Sequence, residues 1–245
     1  MTVRPQIPTR AIWHDLECGA YTADLPVWWA LAQQYGGPVL DVGAGTGRVA
    51  LALARHGYEV TGLDHDPVLS AELTRRSEGL PVNAIQGDAR DFELDERFGL
   101  IIVPMQTVQL LGGEAGRRRL LTHAARHLRA GGLIAAAITE ELEPFSFDDG
   151  SPLPTPDIRE LAGVVYSSQP TAVREDGEGF LLERLRETVS PNGDRQTERD
   201  VIRLDRVTAD QLEREARTAG LVAQGRVVVA PTEDHVGSVV VKLGG

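Results

Sequence analysis

Val39-Leu-Asp-Val-Gly-Ala-Gly-Thr-Gly-Arg48, an apolar helical pattern, and then Tyr58-Glu-Val-Thr-Gly-Leu-Asp64 form the stretch that decides the fold. Val39, Leu40 and Val42 make the apolar run of a strand buried on both faces. Gly43, Gly45 and Gly47 follow at once, where the chain must bend sharply and let a ligand approach bare backbone. Asp64 closes the next apolar run (Val60, Leu63), a place from which a carboxylate can accept both hydroxyls of a ribose. Strand, glycine bend, helix, strand and acid together predict a nucleoside pocket at the carboxyl end of a parallel sheet.

The glycine spacing narrows the choice. A dinucleotide fingerprint reads G-x-G-x-x-G, with a pyrophosphate on the helix N-terminus. Here it is G-x-G-x-G, and Asp41 stands two residues before the first glycine. A carboxylate there repels a pyrophosphate and suits a ligand carrying an ammonium group. No Gly-Lys-Ser/Thr follows, so a phosphate-binding P-loop is excluded. A ligand with a ribose at one end and an α-amino acid at the other, as in S-adenosylmethionine, fits acids at Asp41 and Asp64.

On these residues the chain resembles the class I S-adenosylmethionine-dependent methyltransferases. Asp41-Val-Gly-Ala-Gly-Thr-Gly47 matches the family's first motif and Asp64 its second. Gln86-Gly-Asp-Ala-Arg-Asp91 looks like the third, and Ile101-Ile-Val-Pro-Met-Gln106 resembles the fourth strand and the edge of the active site. The resemblance runs from about residue 39 to 139 and resumes at Asp210–Leu221. It implies that Asp41, Gly43, Ala44 and Gly45 hold the methionine end, and that Asp64 holds the ribose with His65 packed beside the adenine. It further implies Asp88 as acceptor for the adenine amino group, Ala89 as a backbone donor, and Met105 and Tyr21 as further cofactor contacts. The implied fold is a doubly wound, mostly parallel seven-stranded sheet with an antiparallel β insertion after the fifth strand. The implied activity is methyl transfer to a small-molecule acceptor, of secondary-metabolite type.

Composition sets bounds. A chain of 245 residues with 42% hydrophobic content is long enough for one α/β domain with an insertion. A net charge of −11 argues against nucleic acid as the main partner, which needs a basic face. Arg117-Arg118-Arg119, the tightest basic run, falls in the first turn of an amphipathic helix and reads as a solvated face. The single Cys18 suits a reducing cytoplasm. No apolar run reaches membrane-span length and no signal-type block opens the chain, so a cytoplasmic location without membrane contact is expected.

Along the chain, residues 1–36 read as a loose arm to about residue 12 and two short lid helices broken near Pro26. Residues 37–139 and 208–245 read as the cofactor-binding core. Its elements are strand 39–42, helix 46–56, strand 59–63, helix 67–77, strand 82–86, strand 99–104, helix 114–129 and strand 132–139, with Gly131-Gly132 stopping the helix. Helix 208–219 and strands 221–230 and 236–243 close it. Residues 140–207 read as an antiparallel capping insertion: an irregular connection to Pro156, then strands at 164–173, 180–189 and 197–207. Pro191-Asn-Gly-Asp194 is its hairpin signal. An exposed edge of that cap suits pairing across a two-fold axis, as a homodimer.

Methyl transfer from a sulfonium needs in-line alignment, and a base only when the nucleophile must first lose a proton. His14, beside Trp13 and Asp15 in the lid, is the leading candidate base. Gln106 and Gln109, after the fourth strand, are placed to orient a substrate or the methionine moiety. Tyr21 can close over the carboxylate or sulfonium, making His14, Tyr21 and Gln106 the catalytic candidates. Trp13, Trp28 and Trp29 suit an aromatic acceptor pocket or cation–π contact with an amine, or an anchor for the lid helix. No metal is expected: His123 and His127 share one helix face, but the glutamate of His-Glu-x-x-His is absent. Val103-Pro-Met-Gln106 replaces the Asn/Asp-Pro-Pro-Tyr/Phe motif of nucleic-acid and protein amide N-methylation. Two rival readings keep the fold: a cofactor-binding protein with a non-methylating, cyclase-like reaction, and a non-catalytic partner subunit. A nicotinamide dehydrogenase is the weakest rival.

Overall fold

The computed structural model describes residues 7–150, 152–233 and 235–245. Its chain order is α1 (Thr9–Cys18), α2 (Leu25–Tyr35), β1 (Val39–Val42), α3 (Arg48–Arg55), β2 (Val60–Asp64), α4 (Pro67–Arg76), β3 (Val82–Gln86), β4 (Phe98–Val103), α5 (Glu114–His127) and β5 (Leu128–Ile138). There follow β6 (Phe145–Ser146), β7 (Asp157–Leu161), β8 (Val164–Asp176), β9 (Gly179–Val189), β10 (Arg195–Asp205), α6 (Ala209–Arg217), β11 (Val222–Val229) and β12 (Ser238–Gly244).

Seven strands form the main sheet in the order β11-β12-β5-β4-β1-β2-β3. β3, β2, β1, β4 and β5 are parallel, while β12 and β11 run antiparallel at one edge. The central strands are apolar on both faces because helices cover both. Ile101 and Val103 of β4 join one core with Leu120 and Leu121 of α5 and Leu212 of α6. Leu100 and Ile102, the alternate residues, join the other with Trp28 of α2, Leu53 of α3 and Leu73 of α4. All four β4 residues are fully buried. The expected doubly wound sheet is therefore the observed one.

Five strands form a second, antiparallel sheet, ordered β10-β9-β8-β6, with β7 also pairing β8. β7 and β8 are joined by Ala162-Gly163, both at positive φ (52° and 81°). This is the two-residue turn that matches strand twist. The Asn192-Gly193 signal does lie in a hairpin, but in a five-residue loop between Val189 and Arg195.

Several expectations need correction. Pro26 starts α2 instead of breaking the helical region; the break is Gly19–Asp24. The helix of the arm begins at Thr9 behind Pro8, while Pro5 lies outside the described residues. Gly131-Gly132 do not stop a helix: α5 ends at His127, β5 begins at Leu128, and the glycines form an irregularity where β5 pairs with β4. The connection before Pro156 is not wholly irregular, since it holds β6. β7, just past it, is a further strand that the sequence reading lacks. Arg117 is no solvated residue. It is 2% exposed and donates to both carboxylate oxygens of Glu215 at 2.9 and 2.8 Å.

Candidate functional site

The glycine bend sits where β1 hands over to α3, at the carboxyl edge of the parallel strands. Gly43 and Ala44 donate their amides to the Leu63 carbonyl at 2.8 and 3.1 Å, tying the bend to β2. Gly43 and Gly45 both have positive φ, 76° and 56°. A Cβ on Gly43 would lie 2.5 Å from the Thr107 side chain, and one on Gly45 2.3 Å from His14 Nε2. The bend is thus closely covered from two sides, and only glycine fits.

Asp64, at the tip of β2, braces this bend. Its Oδ2 accepts from the Gly45 amide at 2.8 Å and its Oδ1 from the Asp66 amide at 2.9 Å. Each oxygen keeps a further lone pair for another donor. Asp66 then caps α4, accepting from Val68 and Leu69 ahead of Pro67. His65 projects outward with its side chain 80% exposed.

Asp41 lies beneath the bend, 1% exposed, and its Oδ1 has no hydrogen-bond partner among the described residues. Burial pushes its carboxyl up to about 7, with the Arg48 guanidinium pulling the other way. Arg48 itself is clamped by Asp24 at 2.6 and 2.7 Å, and Asp24 also accepts from Trp28 Nε1 at 2.8 Å. Trp28 is therefore the lid anchor, while Trp29 packs on His56 (5.0 Å). Tyr21 is buried under the Arg48 guanidinium (5.2 Å) and against His235 (4.8 Å). Burial raises its phenol above the ordinary value.

Helix α1 crosses over the bend. Its Asp15 accepts from Thr46 Oγ1 at 2.7 Å and takes a bidentate pair from Arg76 at 2.9 and 2.6 Å. Its Glu17 takes another from Arg186 of β9 at 2.7 and 2.8 Å. Trp13 meets Tyr166 of β8 edge-on at 5.4 Å, so it packs between core and insertion. His14 Nδ1 lies 3.3 Å from Thr46 Oγ1, and burial pushes the imidazole below its usual pKa. These contacts put His14 over the glycine bend.

Asp88 stands on the turn after β3, half exposed, and its carboxylate is held by Arg90 at 2.7 Å. That guanidinium, with the Arg90 amide, keeps it ionised down to about 2. Ala89 beside it packs against the core. After β4, Met105 takes a positive φ of 54°, and Gln106 Nε2 donates to Thr139 Oγ1 at 3.1 Å. Gln109 is fully buried and fully engaged. Its amide donates to the Thr139 and Asp205 carbonyls, and its oxygen accepts from the Thr139 amide. The expected substrate role for Gln109 fails on this geometry: it bolts β5 to the end of β10. His123 and His127 are likewise occupied. His127 Nε2 accepts from the Leu94 amide at 2.9 Å. No cluster of three or more potential metal ligands occurs among the described residues.

Thr46, Arg48, Asp24 and the Asp15–Arg76 pair escaped sequence reasoning. Only the Arg48 position, one residue past the last glycine of the motif, carried a usable signal.

Residues 39–132 match a family model described as a methyltransferase domain. Among curated proteins, the chain is 33% identical over 108 residues to the cypemycin N-terminal methyltransferase of a Streptomyces species, covering 44% of each chain. It is 30% identical over 165 residues to the S-adenosyl-L-methionine-dependent Diels-Alderase iccD of Talaromyces variabilis, covering 64% of this chain and 54% of that one. The chain thus spans about half the length of the curated relatives it matches. The sugar N-methyltransferase KedS8 from Streptoalloteichus sp ATCC 53650 superposes with a TM-score of 0.72 at 19% identity, over 98% of this chain and 95% of that one. That likeness concerns the fold, insertion included.

Proposed function

We propose that the chain, whose residues 39–132 match a methyltransferase domain, is a class I methyltransferase that transfers a methyl group from S-adenosylmethionine to the amine of a small-molecule acceptor. The observation that carries this reading is Asp41: a buried carboxylate with an unpartnered oxygen, set under a glycine bend that Thr107 and His14 cover. A buried charge without a partner is costly, and an ammonium group is the complement it lacks. The residues present therefore fit the cofactor.

When bound, S-adenosylmethionine supplies an activated methyl on a positively charged sulfur. Asp41, once ionised, holds the amino group, and Gly43, Ala44 and Gly45 line the methionine end. Asp64 offers its remaining lone pairs to the ribose hydroxyls while keeping the Gly45 amide in place. Asp88, ionised at any physiological pH, accepts from the adenine amino group, and Ala89 and His65 flank the ring. Met105, Gln106 and Tyr21 rim the methyl-bearing end. His14 acts as a neutral cover over the bend, since burial disfavours its charged form. Helix α1, pinned to core and insertion alike, excludes water. An amine can attack first and lose its proton afterwards, so this chemistry asks for orientation, worth about 7–11 kcal/mol, more than for a base. The N-methylating activities in the names of two of the compared proteins support an amine acceptor. With a net charge of −11, the reading leaves nucleic acid aside as acceptor.

Calorimetric titration with S-adenosylhomocysteine, followed by transfer of labelled methyl to a panel of amino sugars and peptides with free N-termini, tests it. Heat and labelled amine are expected; absence of both sinks the reading. The Diels-Alderase relative, which matches the longest stretch of the compared curated proteins, favours one alternative. That alternative is cofactor binding with a non-transfer reaction, and its mark is heat without label in any acceptor.

A further inference from the structure

Helices α1 and α2 flank the site, but different forces hold them. Trp28, Leu31 and Ala32 of α2 belong to an apolar core, whereas Ala11, Ile12, Trp13 and Leu16 of α1 are buried and join neither core. Charge ties α1 down instead. Asp15 pairs with Arg76 of α4 and with Arg159 of β7, Glu17 pairs with Arg186 of β9, and Arg10 reaches Asp66 at 2.8 Å. An element with few apolar ties to the core is the kind that opens locally while the rest stays folded.

The two main basic partners do not depend on α1. Arg76 also bonds Glu72 at 2.7 Å, and Arg186 also meets Glu198 at 3.3 Å and Asp200 at 2.9 Å. Departure of the helix therefore strands neither guanidinium, and Asp15 and Glu17 leave with it into water. A hinge is in place as well. Gly19 and Ala20 are exposed and lie in a turn. Just past them, Arg48 bonds the Tyr21 carbonyl and both Asp24 carboxylate oxygens. A charge-held helix is thus joined through two exposed residues to a segment bolted to the site.

What α1 covers is one end of the cleft. His65 and Asp88, placed for the adenine, have side chains 80% and 42% exposed. Asp41, placed for the amino group, is buried below the bend, and His14 of α1 lies against Gly45 above it. With the helix down, the adenine end meets solvent while the methionine end is roofed by a residue that α1 carries.

We propose that α1 is a lid that lifts about Gly19-Ala20 to admit the methionine end of the cofactor and latches shut through the Asp15–Arg76 and Glu17–Arg186 pairs. The proposal rests on the S-adenosylmethionine reading of the site. Stopped-flow fluorescence, with Trp13 as a reporter on the lid itself, measures how fast S-adenosylhomocysteine associates. Asp15→Asn and Glu17→Gln should each raise the association rate by about tenfold, the scale of one hydrogen bond to a charged group. Glu198→Gln, which takes an acid from the same Arg186 without touching α1, should leave the rate at the wild-type value. Hydrogen exchange on the wild-type protein gives a second measurement that needs no variant to fold. Amides of α1 should exchange about tenfold or more faster than those of α2 in the free protein, and slow once S-adenosylhomocysteine is added. Lid variants that associate at the wild-type rate, an equal gain in Glu198→Gln, or α1 amides exchanging no faster than those of α2 would each overturn the lid. Absence of any S-adenosylhomocysteine binding fails the methyltransferase reading instead, while exchange of α1 against α2 in the free protein still decides whether the helix opens by itself.

Discussion

The carboxyl edge of the main sheet and the face of the insertion both concentrate charge, but they use it differently. At the sheet edge few charges are present and most are buried: Asp41, Asp64 and Asp24 are each less than a tenth exposed. Their positions are enforced by backbone, through strand tips, a glycine bend and amide donors. On the insertion the charges are numerous and partly wet, and they bond chiefly to one another, as Arg174 does with Glu183 and Asp148. Buried acids fixed by backbone define one ligand end closely. Side-chain networks on a half-exposed sheet can be exchanged without touching the fold, which suits the part of a site that meets variable partners.

Substitutions on the two sides sharpen this contrast, and the largest effect belongs to the core. Arg117→Met leaves Glu215 as a buried charge without its cation, while Asp205 keeps Arg203, and thermal unfolding should show a loss of about 3 kcal/mol, roughly 10 °C in Tm. Asp64→Ala frees the Gly45 amide and removes the acid from the tip of β2. Calorimetry with S-adenosylhomocysteine should weaken by about 100-fold, the scale of one or two bonds to a charged group. Unchanged affinity would break the claim that the edge is fixed through backbone.

Asp41 gives a pH signature. Its folded pKa, about 7, lies above the unfolded 3.8, so the folded state binds the extra proton between them. Its contribution to stability is therefore greatest at low pH and declines as pH rises from about 4 to 7. Under the proposed reading, in which the ionised form holds the ammonium, cofactor affinity runs the opposite way. Below pH 7 it should fall by about tenfold per unit, and Asp41→Asn should flatten both profiles. The smallest effect is expected on the outer insertion. Arg174→Ala removes two partly exposed ion pairs and a bond to Ser146 Oγ, and should lower Tm by no more than about 2–4 °C with cofactor binding unchanged.

The core was legible because its physics is local. β1, the bend and β2 fall within one run of residues, and the glycine spacing reports backbone directly. What stayed hidden depends on partners distant in sequence. Arg117 looks like part of a solvated basic run until Glu215 and Asp205 arrive from the far end of the chain. Gln109 reads as a free amide until Thr139 and Asp205 close on it. β7 is short, places its apolar residues Ile158 and Leu161 three apart, and sits behind Pro152, Pro154 and Pro156, a context that reads as loop. At the site, the order of acids along the strands and the presence of lid helices could be read, whereas the contacts that pin the lid could not. The contacts of α1 are with Arg76, Arg159 and Arg186, and no local pattern announces them.

The tight turn between β7 and β8 has a practical use. Ala162 holds a left-handed backbone that alanine tolerates poorly, and asparagine before glycine is the pair such a turn favours. Ala162→Asn should therefore raise the melting point modestly at a turn that supplies none of the site residues described above. It would give experimenters a sturdier background in which damaging substitutions elsewhere can still be purified and measured.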